Sequence, residues 1–81
     1  MKRRCIHALY ADILRIVLDE QGDRFTHIVY KANLNFRFAR RLIEDLQKLQ
    51  MIELRGNRYY ILPRGMKYLQ KFQELQDLLS T

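Results

Sequence analysis

The sequence predicts a mainly α-helical domain with one small β-hairpin, in the order α-α-α-β-β-α. Three observations carry this. Apolar residues recur at helical spacing through residues 5–21, 26–32 and 35–50. The period then shortens to that of strands in Met51-Ile52-Glu53-Leu54 and Tyr59-Tyr60-Ile61-Leu62, which bracket Arg55-Gly56-Asn57-Arg58. Helical spacing returns from about Met66 to Leu79.

In the first helix Ile6, Leu9, Tyr10, Ile13 and Val17 line one arc, with Leu14 and Ile16 at its margins. Gln21-Gly22-Asp23 ends it, and Gly22 is expected to take the left-handed conformation. Thr26 is the expected N-cap of a short second helix from His27 to Ala32, with Ile28 and Val29 buried. In the turn Ala32-Asn33-Leu34-Asn35, Asn33 suits a left-handed position, Leu34 plugs the core and Asn35 caps the next helix.

The third helix, Asn35 to Gln50, has two unlike faces. Asn35, Phe38, Leu42, Leu46 and Leu49 fall in one arc; Arg37, Arg40, Arg41, Glu44 and Lys48 fall roughly opposite. A Gly-Asn pair between two β-prone runs makes a hairpin, and Pro63 closes its second strand because proline cannot extend a ladder. Arg64-Gly65 reads as a short connection. In the last helix Tyr68, Phe72, Leu75 and Leu79 form two heptads of a coiled-coil seam, flanked by Leu69 and Leu78.

A chain of 81 residues makes one domain, 1–81, near the lower limit for a self-sufficient core, so oligomerisation would help it. Within it, 5–62 are expected to hold the first helices and hairpin, and 64–80 a dimerisation helix. Fifteen Lys and Arg against nine Asp and Glu leave +6. Residues 24–67 hold ten basic and three acidic side chains, a net +7, whereas the two flanking segments together are slightly acidic. That concentration points to a polyanionic partner, with nucleic acid the first candidate. Cys5 is the only cysteine, so no intrachain disulfide is possible and a cytoplasmic chain is expected. No apolar run approaches the length of a membrane span, and no membrane partner is expected.

The candidate contact residues follow from the charge map. Arg37, Arg40 and Arg41 sit in the first half of the third helix, where guanidinium groups can read guanine edges or clamp phosphates. The bland alternative is a solvated face with Glu44 and Asp45 paired onto it. Lys48 continues the same face. Arg55, Asn57 and Arg58 surround the hairpin tip and suit backbone or minor-groove contact; the alternative is protection of a strand edge by charge. Lys31 and Asn35 lie near the turn, with capping the stronger role for Asn35. Lys2, Arg3 and Arg4 suit either a basic arm or a solubilising terminus.

Other residues are better read as structural. Cys5, His7 and His27 match no zinc spacing, so no metal or other cofactor is expected, and Cys5 is read as a partly buried thiol. Tyr59 and Tyr60 point to opposite faces of one strand and so cannot form a single stacking platform; with Tyr68 and Phe72 they read as core and interface packing. The only serine is Ser80, and no nucleophile stands beside a base, so no enzyme is expected.

The order of elements is that of a winged helix-turn-helix. The runs T-H-I-V-Y-K-A-N-L-N-F (Thr26–Phe36), L-I-x-x-L-x-x-L-x-M-I (Leu42–Ile52) and Y-Y-I-L-P-R-G (Tyr59–Gly65) resemble those of small archaeal winged-helix regulators, in particular chromatin-associated proteins of about this size. The resemblance spans nearly the whole chain. It implies duplex DNA as the partner, a homodimer joined by a coiled coil of the C-terminal helices (here Tyr68, Leu69, Phe72, Leu75 and Leu79), and a nucleoid-associated location. Two departures stand out. Gln50-Met51 replaces the usual Gly-Leu, so the third helix is expected to run on by a residue. Leu62-Pro63-Arg64-Gly65 replaces a Thr-led cap on the last helix. The expected function is therefore a homodimeric DNA-binding transcriptional regulator or nucleoid-associated factor. The rival readings are a winged-helix protein-interaction module and an RNA or single-strand binder.

Overall fold

A computed structural model describes residues 5–80. In chain order it contains α1 (Ile6–Asp19), α2 (Phe25–Ala32), α3 (Phe36–Lys48), β1 (Ile52–Arg55), β2 (Arg58–Ile61) and α4 (Pro63–Ser80). The basic arm proposed at Lys2, Arg3 and Arg4 lies outside the described residues. The expected order of elements is the observed one, and the fold is a winged helix.

The core is built where the three N-terminal helices meet the hairpin. Ile13, Leu14 and Val17 of α1, Ile28 of α2, Leu42, Ile43 and Leu46 of α3, and Ile52 of β1 are almost wholly removed from water. Tyr59 of β2 closes one side. Leu14, expected at a margin, is at the centre, while Ile6 is largely exposed at the first turn of α1. Val29 is only half-buried. Leu34 packs against the core as expected.

The core face of α3 is rotated from the expected one. Ala39, Leu42, Ile43 and Leu46 are buried, and Phe38 and Leu49 are 40% and 41% exposed. Size misleads here: small Ala39 occupies the inward position, and the bulkier Phe38 lies on the flank.

Helices α1, α2 and α3 end with the same hydrogen-bond device. The N–H just after the left-handed residue donates back to a carbonyl five residues earlier, and the left-handed residue's own N–H closes a tighter bond: Gly22 to Val17 and Gln21 to Leu18, Leu34 to Val29 and Asn33 to Tyr30, Met51 to Leu46 and Gln50 to Gln47. The left-handed residues of these three motifs are Gln21 (φ +53°), Asn33 (φ +55°) and Gln50 (φ +59°). Asn33 is as expected. Gln21 rather than Gly22 holds the left-handed cap of α1, and α3 does not run on: Gln50 takes the conformation a glycine would take. Gly22 has its own positive φ of +108°, and a Cβ there would run into the Tyr60 ring.

Thr26 does not cap α2. The helix starts two residues earlier than expected, with Arg24 extended at the N-cap and no side-chain cap of its own. The preceding Asp23 is buried instead, and its carboxylate accepts from the Arg24 N–H (2.9 Å) and faces the His27 Nδ1 at 2.6 Å. The backbone of Asp23 exchanges two hydrogen bonds with Tyr59, of 3.0 and 2.7 Å. The hairpin is thereby tied to the start of α2.

β1 and β2 pair antiparallel, with Ile52 opposite Ile61 and Arg55 opposite Arg58. Gly56 has φ +63° and Asn57 does not share the positive φ, the pattern of a two-residue type II′ turn. Pro63 does not merely end β2. It opens α4, at the position where its missing N–H costs nothing, so Arg64-Gly65 belong to the first turn of the helix and are not a connection. Gly65 is buried there. A Cβ would strike the Met51 carbonyl oxygen and would lie 2.9 Å from Ile61 Cγ1 and 3.2 Å from Leu14 Cδ2.

The first half of α4 packs on α1. The Tyr68 hydroxyl donates to the His7 carbonyl (3.1 Å), and Arg15 reaches Gln73 (3.2 Å). Tyr68 and Leu69 are half-buried against the core. Beyond them Leu75, Leu78 and Leu79 are 51%, 72% and 71% exposed. Cys5, read as partly buried, is exposed.

Candidate nucleic-acid interface

The side of α3 turned away from the core carries Arg37, Arg41, Glu44 and Lys48, all exposed. Stepped at about 100° per residue, these four fall within one narrow arc directly opposite Ala39 and Leu46. Among the described residues none of the four makes a side-chain hydrogen bond, ion pair or ring contact. Their charge is held out to solvent and is free to meet a partner.

The start of α3 strengthens the positive potential. Its first turn contains no acidic residue and includes Arg37. The unpaired N–H groups at a helix start already favour anions, and Arg37 adds a full charge beside them. Asn35 has a different task. Its side chain accepts the Phe38 N–H at 3.1 Å, so it caps the helix as expected.

Arg40 does not belong to the outward stripe. It lies on the flank, with its guanidinium 4.5 Å from the Phe25 ring centre and 5.4 Å from that of Phe36. Phe25 and Phe36 meet edge to face, with centroids 4.8 Å apart. These rings are the first residues of α2 and α3. Arg40 therefore clasps the two helix starts, which sets the angle of the helix-turn-helix. The sequence carries no sign of this contact, because Phe25 and Phe36 belong to different helices and only the fold unites them.

The acidic neighbours Glu44 and Asp45 are not equivalent. Asp45 turns inward and accepts the Tyr10 hydroxyl at 3.0 Å, joining α3 to α1. Burial, and next the adjacent Asp45 carboxylate, raise the Tyr10 pKa, because both disfavour the phenolate. Tyr68 is raised as well, chiefly by burial. The alternative arrangement, Glu44 and Asp45 paired onto the arginine face, does not form among the described residues.

The hairpin arginines are each engaged within the chain. Arg55 lies over the Tyr60 ring at 4.1 Å and meets Glu53 at 3.2 Å. Arg58 donates to the Gly22 carbonyl at 3.3 Å. Both remain exposed, as does Asn57 at the tip. Lys31, in the last turn of α2, is exposed too. Tyr59 is core, and Tyr60 is half-buried on the other face of β2. Tyr68 and Phe72 stack at 6.5 Å with planes 11° apart, but along α4 and away from the strand. Among the described residues no cluster of His, Cys, Asp and Glu could hold a metal ion. Among the described residues no helix is long and apolar enough to cross a membrane.

A helix-turn-helix that presents a basic outward face, followed by a two-stranded wing tied back to the body, defines a winged helix with an exposed third helix. The chain belongs to the winged helix-turn-helix family, whose model matches residues 3–80. Among solved structures it is similar to Sso10a-2, a DNA-binding protein from Sulfolobus solfataricus. That match has a TM-score of 0.77 and 23% identity, and covers 96% of this chain and 83% of the other. No curated protein matches.

Proposed function

We propose that the protein binds duplex DNA as a homodimer, in the role of a transcriptional regulator or nucleoid-associated factor. The observation that carries this is the stripe of Arg37, Arg41 and Lys48 on α3: exposed, aligned and without partners among the described residues. A major groove about 12 Å wide accepts one such helix, whose outward face meets base edges while flanking cations meet phosphates. Lys31, Arg55, Asn57 and Arg58 supply the flanking contacts. Arg55 and Arg58 do so from positions already fixed by Tyr60 and Gly22, which lowers the entropy lost on binding. The structural relative is itself a DNA-binding protein, which supports the same reading.

The dimer reading rests on α4. Its outer half leaves Leu75, Leu78 and Leu79 exposed, and Tyr68, Phe72, Leu75 and Leu79 line an apolar groove with Cys5 and His7. Leu69 turns toward the core, so its part in the interface is at the edge. Two such grooves brought together across a two-fold would bury the seam and give the assembly two copies of α3.

The test is a mobility-shift titration of the parent and an Arg37→Ala/Arg41→Ala variant against random duplex at two salt concentrations. The expected parent slope is about −0.9 in log–log form per phosphate contacted, and the variant loses most binding while keeping its melting temperature. Equal affinity of parent and variant would remove α3 from the interface. Sedimentation of parent and Leu75→Glu tests the dimer; monomer mass for both would sink it.

A further inference from the structure

We infer that Glu44 is a base-reading residue that makes binding sequence-specific by selecting cytosine in the major groove. The inference rests on the DNA-binding reading above. It starts from an electrostatic misfit. Glu44 lies within the Arg37–Arg41–Lys48 stripe, and its carboxylate is exposed. It is four residues from Arg40, three from Arg41 and four from Lys48, the spacings at which helical ion pairs form. Among the described residues it pairs with none of them. Arg40 is held on the Phe25 and Phe36 rings, and the only other acid of α3, Asp45, is turned in to Tyr10. Glu44 thus projects as a lone negative group on the surface that meets a polyanion.

On a helix that gripped only phosphates, this carboxylate would weaken every complex equally. A carboxylate accepts hydrogen bonds and donates none. The major groove offers it two kinds of donor, the cytosine N4 and adenine N6 amino groups. Adenine places its N7 acceptor beside N6, where it repels the second carboxylate oxygen. Cytosine has no such neighbour on its own edge, so cytosine is the better match. Arg41 lies about 4.5 Å earlier along the helix axis, and from there its charge offsets the repulsion of nearby phosphates.

The experiment is selection of bound duplexes from a random pool by the parent, Glu44→Ala and Glu44→Gln, followed by titration of single-pair variants of the selected site. Melting temperatures equal to the parent's establish that both variants fold. The parent is expected to select a site containing an invariant cytosine, and replacing that C·G pair to weaken it about five- to a hundredfold. Glu44→Ala should lose the preference at that position alone. Glu44→Gln should move it toward adenine, which an amide can bind through N6 and N7 together. If Glu44→Ala tightens binding to every duplex equally and keeps the parent's selected sequence, Glu44 is only a solvated charge. Parent binding with no selected sequence overturns the role of Glu44 but leaves DNA binding standing; no duplex binding at all overturns both.

Discussion

Arg40 and Arg41 are adjacent arginines on one helix; the structure engages the first within the chain and leaves the second without a partner among the described residues, and a pair of single substitutions can test the different duties proposed for them. In Arg40→Ala two cation–ring contacts disappear, at 4.5 and 5.4 Å. At partly exposed sites each contributes about 0.5–1 kcal/mol. Alanine returns a few tenths of a kcal/mol through its higher helix propensity. The net loss is about 0.5–1.5 kcal/mol, which for a domain of this size lowers the melting temperature by roughly 3–10 °C. Arg41→Ala removes no side-chain hydrogen bond, ion pair or ring contact among the described residues, so its melting temperature should stay level or rise slightly. Binding should show the reverse. Arg41→Ala should flatten the log–log salt dependence by about 0.9 per protomer, and Arg40→Ala by much less. The assays are thermal unfolding by circular dichroism and duplex titration at four salt concentrations. Equal melting shifts in the two variants would refute the clasp, and an equal loss of salt slope would refute the division of roles.

Three other substitutions probe the frame that aims α3. Gln50→Gly should raise stability by about 0.5–1 kcal/mol in urea unfolding, because Gln50 sits at φ +59° and glycine carries no Cβ penalty there. Gly65→Ala should lower it by about 1–3 kcal/mol in the same assay, since the new methyl meets the Met51 carbonyl oxygen, which already accepts the Leu62 N–H at 2.9 Å. The raised Tyr10 and Tyr68 hydroxyls predict a loss of stability in alkali. A folded pKa above the unfolded value of about 10 stabilises fully below that pH, and the gain is lost as pH rises through the folded value. Melting curves between about pH 8 and 11 should therefore decline at the top of the range, and Tyr10→Phe should shrink the decline but leave the part due to Tyr68.

Most of the fold was legible because period and turn chemistry are local. Two strand-like runs around Gly56-Asn57, and Asn33 before the Asn35 cap, announce their own geometry within a few residues. What escaped was what a distant partner decides. Nothing near Gln50 calls for a left-handed residue, yet the chain must turn there for Met51 and Ile52 to enter the core, so burial of those two side chains holds Gln50 where glycine would sit more easily. Thr26 is the better local cap, but Asp23 is already fixed by its backbone pairing with Tyr59 and starts α2 early. The same division runs through the candidate interface. Net charge pointed to the third helix, since charge is tallied without knowing contacts. It could not sort the charges. Arg40 is absorbed by two rings and Asp45 by Tyr10, and what remains outward is Arg37, Arg41 and Lys48 with one carboxylate among them. A face of four positive groups and two negative ones reads as a phosphate grip. A face of three positive groups around a single Glu44 carries the same net charge, but its one carboxylate has no partner among the described residues, and that is what suits it to the base-reading role proposed for it.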